Sequence, residues 1–183
     1  MEVLQSKVFK EVKVFIPTVY TDTRGFFMES YNQQIQNILD IEFLQDNHSK
    51  SKRGVIRGLH YQWDEPMGKL VRVPVGSGID VIVDIRKDSL TFGMSEQFEL
   101  SNVTNKIVWV PPGFAHGFIS LQDNTHLMYK NTALHNSAAE GAIHPFDVRL
   151  NIDWGMHKSQ IILSEKDNLA QSFSDYKKDP KFI

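Results

Sequence analysis

The sequence predicts an all-β fold in which short antiparallel strands form a sandwich or a barrel, with only a few short helices. Eight apolar or alternating segments of five to eight residues follow one another between residues 43 and 132, and glycine, proline and asparagine clusters separate them. Strands of this length and spacing are typical of antiparallel sandwiches and barrels. The segment 79–85 alternates most clearly, with one face made of Ile79, Val81, Val83 and Ile85 and the other of Asp80, Ile82 and Asp84.

Length and composition indicate one ordinary globular domain spanning residues 1–183. The chain is 41% hydrophobic and 23% charged, and its net charge of −2 offers no concentrated basic face for nucleic acid. It contains no cysteine, which excludes disulfides, thiolate nucleophiles and cysteine metal sites. No apolar run resembles a signal segment or a membrane span, so we expect a cytoplasmic protein with no membrane partner.

The first elements are two strands, a turn and one helix. Residues 8–16 alternate loosely and end at Pro17, which predicts a strand. Residues 20–25 read as a turn, and residues 26–31 as another short strand. Ile35, Ile38 and Leu39 have helical spacing after a possible N-cap at Asn32, so we predict a helix over residues 32–41.

The eight predicted strands follow this helix. They cover residues 43–49, 55–62, 69–75, 78–85, 96–100, 106–110, 116–121 and 126–132. The end of the chain is less regular. Residues 164–167 fit a capping box or a surface turn, and a C-terminal helix or tail follows from about residue 168.

Three cationic or titratable residues lie on two of the predicted strands. Arg57 and His60 precede the turn at residues 64–68, and Lys69 follows it. In an apolar strand pattern such groups are costly unless they face a cavity and have partners. An edge hairpin with solvated charges is the alternative interpretation.

His60 has two possible chemical roles. A metal site needs three or four convergent ligands, but the sequence has no His-x-His pair, so we expect no metal. As a general base, a histidine held by a carboxylate removes a proton from carbon only next to a carbonyl group. Lys69 is placed to stabilise the resulting enolate oxygen.

Other polar residues border apolar strand positions. His116 follows a Pro-Pro-Gly turn and fits either a structural histidine or a site residue, and Tyr129 ends a predicted strand. A third group could hydrogen-bond a heterocycle and its phosphates, with an aromatic ring for stacking. It comprises Arg24, Phe27, Glu29, Gln45 and Asn47.

Eight motifs, in order along the chain, carry a family resemblance. They are DTRGFFME (22–29), QDNHS (45–49), RGLHYQ (57–62), GKLVRV (68–73), DVIVDIR (80–86), GFAHGF (113–118), YK (129–130) and SEKD (164–167). Together they resemble the dTDP-4-dehydrorhamnose 3,5-epimerases, which are cupin-type nucleotide-sugar epimerases. The resemblance extends from about residue 14 to residue 167.

The resemblance implies a cupin-like, double-sheet jelly-roll barrel and a homodimer in which N-terminal strands cross to the partner. It implies an isomerase acting on a nucleoside-diphosphate 4-keto-6-deoxyhexose, with no metal or organic cofactor, in deoxysugar and O-antigen biosynthesis. His60 resembles the catalytic base, Asp167 its carboxylate partner and Lys69 the residue that stabilises the enolate. The substrate contacts implied are Arg24, Phe27, Glu29, Gln45, Asn47, Arg57, Asp84, His116 and Tyr129.

One position departs from the family pattern. The family usually carries a tyrosine six residues after the position of Tyr129, where it supplies a proton to the opposite face of the enolate. This chain has His135 there. We therefore count His135 as a candidate catalytic residue that delivers this proton in place of the tyrosine, with water as the alternative donor. The change leaves open a double epimerase, an enzyme restricted to C3 or C5, and a different nucleotide such as CDP or GDP.

Two further functions stay open on the sequence. A ketoisomerase would move the carbonyl between C4 and C3 through the same enediolate chemistry. A non-catalytic binder would retain the pocket and lack the acid. His60, Asp167 and Lys69 favour the epimerase, because they suffice for proton abstraction next to the carbonyl.

Overall fold

The computed structural model describes all residues, 1–183, and confirms the all-β fold class. Thirteen strands and three short α-helices form the chain. The strands are β1 Glu2–Gln5, β2 Lys13–Ile16, β3 Val19–Asp22, β4 Gly25–Met28, β5 Gln45–Ser51, β6 Ile56–Gln62, β7 Lys69–Val75, β8 Ser77–Asp84, β9 Ser95–Ser101, β10 Ile107–Val110, β11 Phe114–Ser120, β12 Thr125–Asn131 and β13 Glu140–Ala142. The helices are α1 Gln33–Leu39, α2 Glu165–Asn168 and α3 Phe173–Tyr176.

Two antiparallel sheets face each other. The six-stranded sheet has the order β1-β2-β10-β7-β12-β5, and the five-stranded sheet has the order β13-β6-β11-β8-β9. Strands β3 and β4 pair only with each other, in a separate hairpin. Sequence neighbours are distributed over both sheets, as in a jelly roll.

Strand β8 shows how the alternation predicted from sequence builds two cores. Val81 and Val83 pack into an apolar cluster on the outer side of the five-stranded sheet. Ile82, between them, packs into the cluster that fills the space between the two sheets. Because both faces of the strand are covered, five of its eight residues are buried in a row, from Asp80 to Asp84.

Helix α1 begins where the sequence predicts. The Asn32 side chain caps it by accepting a hydrogen bond from the backbone N–H of Ile35, at 3.2 Å. Ile35 is fully buried against Leu70 and Trp109, on the outer side of the six-stranded sheet. The helix thus closes this side of the barrel near its N-terminal strands.

The structure differs from the sequence prediction at four places. Of the strand expected over residues 8–16, only Lys13–Ile16 forms a strand, β2. Residues 20–25, expected as a turn, form most of the β3–β4 hairpin. Strands β1 and β13 were not predicted, because β1 is exposed at every position and β13 is only three residues long. Neither strand therefore has the apolar alternation by which a strand is recognised.

The C-terminal segment covers the outer side of the five-stranded sheet. Tyr176 is buried, and its hydroxyl group donates a hydrogen bond to the carbonyl oxygen of Ile85 at 2.8 Å. Phe173 packs in the same apolar cluster. No helix in the structure has the length and apolar character that crossing a membrane requires.

Candidate active site

A cavity of about 430 Å³ opens between the two sheets. The five-stranded sheet contributes Arg57, His60 and His116, and the six-stranded sheet contributes Lys69 and Tyr129. Other lining residues are Ser49, Val55, Ile56, Phe118, Leu127, Ile162, Leu163, Ser164, Lys166 and Asp167. Five of the residues that the sequence singled out lie on four different strands and meet at this cavity.

His60 and Asp167 form a hydrogen-bonded pair at its wall. His60 Nε2 lies 2.5 Å from Asp167 Oδ1. The His60 side chain keeps a quarter of its surface exposed, whereas Asp167 is almost fully buried. Since Nε2 faces the carboxylate, Nδ1 is the nitrogen left free to accept a proton.

The first turn of α2 sets the position of Asp167. Ser164 is the N-cap, and its hydroxyl oxygen accepts a hydrogen bond from the backbone N–H of Asp167 at 3.1 Å. Burial alone would raise the pKa of Asp167, but the hydrogen bonds from His60 and Ser164 outweigh it and hold the pKa below its ordinary value. The carboxylate therefore stays ionised and holds the orientation of the His60 ring.

Gly58 lets strand β6 approach β11 next to the histidine pair. Its φ of +127° is in the region that favours glycine, and a Cβ there would lie 2.6 Å from both the Gly117 Cα and the His116 carbonyl oxygen. A register shift between His116 and Phe118 on β11 accompanies it. Two imidazoles, His60 and His116, consequently lie directly opposite each other on neighbouring strands.

Lys69 brings a cation to the facing wall. Its ammonium group is enclosed by protein, although the residue keeps some exposed surface at the cavity. Burial lowers the pKa of Lys69 to about 8, against the opposing charges of Glu140 and Asp80. Lys69 Nζ lies 5.9 Å from the ring centroid of Tyr129. An ammonium group with this pKa is charged at neutral pH and can also lose its proton.

A second histidine–carboxylate pair lies deeper in the barrel. His116 Nε2 lies 2.6 Å from Asp80 Oδ1, and both residues are buried. The sequence analysis missed Asp80 as a site residue and named Asp84. The signal available was that Asp80 shares the inward face of β8 with Ile82, next to the strand that carries His116.

The structure corrects the expectation for Asp84. Its carboxylate is fully buried away from the cavity and accepts hydrogen bonds from Arg86, Ser89 and Thr91. Burial would raise the pKa of Asp84, but these hydrogen bonds lower it below its ordinary value. Asp84 is the last residue of β8, and its hydrogen bonds stabilise the connection to β9.

Glu140 and Lys166 were also missed. Lys166 lines the cavity, and its Nζ donates a hydrogen bond to the Glu140 carboxylate. Burial would raise the pKa of Glu140, but Lys166 and the charges of His60 and His135 lower it. Glu140 was not predicted as a site residue because it lies on β13, which has no strand pattern in the sequence.

The predicted nucleotide contacts do not all reach the cavity within one chain. Arg24, Phe27 and Glu29 belong to the β3–β4 hairpin and its exit, apart from both sheets. Gln45 and Asn47 lie on β5, joined by a 2.8 Å hydrogen bond from Gln45 Nε2 to Asn47 Oδ1. Asn47 lines a smaller neighbouring cavity of about 220 Å³, which Tyr129 shares.

His135 lies outside the main cavity. It is exposed, and its backbone N–H donates to Gln45 Oε1 at 3.1 Å. Gln62 anchors the same loop, because its side chain hydrogen-bonds the backbone of Leu134 and Asn136. Tyr129 is therefore the only phenol that lines the cavity.

The cavity supports proton transfer at carbon next to a carbonyl group. A base backed by a carboxylate lies on one wall, and a cation and a phenol lie on the other. A substrate between the walls can lose a proton to one and gain a proton from the other. No group of three or more histidine, aspartate or glutamate side chains is arranged to hold a metal ion.

Comparison with known proteins agrees with this chemistry. The family model of dTDP-4-dehydrorhamnose 3,5-epimerase matches residues 6–175. The chain is 44% identical to the dTDP-4-dehydrorhamnose 3,5-epimerase of Shigella flexneri, over 96% of this chain and 97% of that protein.

Two solved structures are also similar. The 3,5-epimerase of Legionella pneumophila, in complex with dTDP-4-keto-L-rhamnose, is 40% identical with a TM-score of 0.90, over 94% of this chain and 93% of that one. ChmJ, a 3'-monoepimerase from Streptomyces bikiniensis in complex with dTDP-quinovose, is 26% identical with a TM-score of 0.89, over 96% and 90%. This chain belongs to the dTDP-4-dehydrorhamnose 3,5-epimerase family and is an isomerase.

Proposed function

We propose that the enzyme inverts both C3 and C5 of a dTDP-linked 4-keto-6-deoxyhexose. The observation that carries the proposal is the His60–Asp167 pair, which faces Lys69 and Tyr129 across one cavity. The nucleotide and sugar are inferred from the Shigella and Legionella relatives, which are 3,5-epimerases of dTDP sugars.

The proposed reaction starts with proton abstraction. His60 Nδ1 takes the proton from C3 or C5, and the bonding electrons form an enolate whose negative charge lies on the C4 oxygen. The Lys69 ammonium group stabilises that oxygen. Asp167 stabilises the imidazolium form of His60.

Inversion is completed from the opposite wall. The Tyr129 hydroxyl group donates its proton to the other face of the carbon, which restores the C4 carbonyl. The phenolate and the imidazolium then exchange protons with solvent, so that the next turnover starts from the same protonation states. Two observations support this role for Tyr129. It is the only tyrosine that lines the cavity, whereas His135 is exposed outside the cavity.

The nucleotide contacts support a homodimer. The β3–β4 hairpin attaches to neither sheet and exposes three large aromatic residues, with Tyr20 at 63%, Phe26 at 61% and Phe27 at 65%. Exposed aromatic groups of this kind mark an interaction surface. In the proposed dimer the hairpin crosses to the second copy and presents Arg24, Phe27 and Glu29 to its cavity.

Intersubunit complementation tests the dimer. Arg24→Ala and His60→Ala chains are co-expressed with different tags, and the mixed dimer is isolated. If the hairpin serves the partner's cavity, one site of the mixed dimer has both residues intact, and activity exceeds that of either variant alone. If the isolated mixed dimers are no more active than the single variants, the hairpin does not serve the cavity of the second copy.

Proton NMR in heavy water tests the reaction. The enzyme is incubated with 4-keto-6-deoxyglucose linked to dTDP and, in parallel, to CDP. Deuterium at both C3 and C5 of the dTDP sugar is the expected result. Exchange at one carbon would identify a mono-epimerase, a migrated carbonyl would identify a ketoisomerase, and no exchange with either nucleotide would indicate a binder.

A further inference from the structure

The guanidinium group of Arg57 is held along one of its edges. Its Nε donates a hydrogen bond to Ser51 Oγ at 3.1 Å, and its Nη2 donates one to the carbonyl oxygen of Lys50 at 3.3 Å. The N–H groups of a guanidinium are fixed in one plane, and Nε and Nη2 share an edge of that plane. Both N–H groups of Nη1 and the second one of Nη2 are therefore left for another acceptor.

This contact lies at the main cavity. Arg57 lines the cavity from β6, and Ser49 lines it from β5. Ser51 is two residues beyond Ser49 and so lies on the same face of β5. Ser51 is buried, with 5% of its surface exposed, whereas Arg57 is exposed. A buried hydroxyl group thus holds the inner edge of a guanidinium group whose other edge remains accessible.

The remaining edge of Arg57 suits an anion. None of the ion pairs within the chain includes Arg57, so its charge is not neutralised by a carboxylate. Two N–H groups side by side match two oxygens of one phosphate group. A side chain that is already fixed in direction loses less conformational freedom when the anion binds, and binding is tighter for that reason.

We propose that Ser51 is a positioning residue whose hydroxyl oxygen holds Arg57 with its free edge toward the diphosphate of the substrate. The identity of the anion, a nucleoside diphosphate, rests on the proposed function. The contact between Ser51 and Arg57 does not depend on any substrate and is tested separately.

Nuclear magnetic resonance of the ¹⁵N-labelled enzyme tests the contact without a ligand. The Nε–H signal of Arg57 is assigned by its absence from Arg57→Met. Ser51→Ala removes the acceptor, so this N–H should exchange with solvent roughly 10-fold faster or more. Ser51→Thr keeps the oxygen and should restore slow exchange. An unchanged exchange rate in Ser51→Ala would overturn the contact.

Ser120→Ala is the matched control for both experiments. Ser120 is also a buried serine at the end of a strand, but its hydroxyl group donates to the carbonyl oxygen of Gln122 and does not line the cavity. We expect this variant to leave the Arg57 signal and the affinity for nucleotides unchanged.

Calorimetry with dTDP and with thymidine tests the effect on binding. Ser51→Ala should weaken dTDP binding about 10-fold, a usual size for a misaligned charged hydrogen bond. Thymidine binding should stay unchanged because thymidine has no phosphate. In turnover, KM should rise with little change in kcat, since the contact is remote from the reacting carbons, and Ser51→Thr should restore KM.

A double-mutant cycle shows whether Ser51 acts through Arg57. In the Arg57→Met background, Ser51→Ala should cause no further loss of dTDP affinity, because the group that it positions is absent. A further loss of the same size would assign the effect to Ser51 itself or to a general structural change, and would overturn the positioning role. Faster exchange with wild-type dTDP affinity in Ser51→Ala would overturn it as well.

These outcomes are distinguishable from a failure of the proposed function. Deuterium exchange at a single carbon would change the reaction assigned to the enzyme but not the dTDP measurements. If the wild-type enzyme binds CDP and not dTDP, the proposed nucleotide is wrong, and a loss of affinity for CDP but not for cytidine in Ser51→Ala still supports the role of Ser51. A wild-type enzyme that binds neither nucleotide would overturn the diphosphate as the anion.

Discussion

His60 Nε2 lies 2.5 Å from Asp167 Oδ1, although the two residues are 107 positions apart in the chain. The pair joins the inner strand β6 to the short helix α2, and the imidazole is more exposed than the carboxylate. A buried, ionised partner of this kind fixes the tautomer of the histidine and leaves its other nitrogen free. The first two predictions follow from this contact.

Replacing His60 by alanine should remove the base while keeping the binding site. We expect the rate of deuterium exchange to fall by about 10²- to 10⁴-fold, the usual contribution of general base catalysis. The affinity for dTDP, measured by calorimetry, should stay nearly unchanged because His60 contacts the sugar and not the nucleotide in the proposed reaction. Lost affinity with intact turnover would contradict the assignment.

Asp167→Asn should make stability less dependent on acid pH. The folded-state pKa of Asp167 is below its ordinary value of 3.8, so the carboxylate contributes stability above about pH 4 that is lost as pH falls through the folded pKa. At neutral pH the variant should be less stable by about 1.5 to 3 kcal/mol, as for a hydrogen bond to a charged group. Urea unfolding of the wild type and the variant, between acid and neutral pH, measures both the stability difference and its dependence on pH. A difference that stays constant down to the lowest pH would contradict the ionised pair.

Lys69 should give the pH–rate profile of the enzyme a basic limb, in which kcat falls as pH rises. Its folded pKa is about 8, so the catalytic ammonium form declines above that pH, and kcat should decline with it. Lys69→Met should cost about 10²- to 10³-fold, like the loss of one oxyanion donor, and should remove the limb.

The stability of the same variant gives an independent check. Because burial lowers the folded pKa of Lys69 from 10.5 to about 8, the unfolded state binds more protons between these values, and wild-type stability should rise with pH there. Lys69→Met should lack this rise in thermal unfolding experiments. The same rise in the variant would assign it to another group.

The roles of Tyr129 and His135 can be distinguished by the effect of a substitution at each position on deuterium exchange. Tyr129→Phe should slow inversion by about 10²- to 10⁴-fold, while His60 still removes a proton and returns deuterium to the same face. His135→Tyr should retain exchange at both carbons, because the side chain lies outside the cavity. Loss of all activity in His135→Tyr would show that the histidine has an essential role.

Local chemistry in the sequence predicted much of the fold. The alternation of β8 divided its residues correctly between two cores, because side chains of a strand point to opposite faces. Asn32 and Ser164 were recognised as possible caps, because their side chains satisfy N–H groups within three residues. Strand β1 was missed because it is exposed throughout and carries no such pattern.

The candidate site was predicted in part. The sequence singled out His60 and Lys69 as charged groups within apolar strands, and both line the cavity. It did not distinguish Asp80 from Asp84, which share the inward face of β8. His116 is paired with Ile82, midway between them, and only the side-chain contact in the folded structure shows that His116 meets Asp80. It also gave no sign of Glu140, whose short strand is stabilised by pairing with β6.

By itself the sequence determined an all-β chain, its helix caps and the residue types available for chemistry, because these depend on interactions over a few residues. Only the tertiary structure decided which of those residues meet. The approach of Asp167 to His60 and the position of His116 opposite His60 are set by sheet register and by the packing of the C-terminal segment. Such contacts join distant parts of the chain, and no local pattern encodes them.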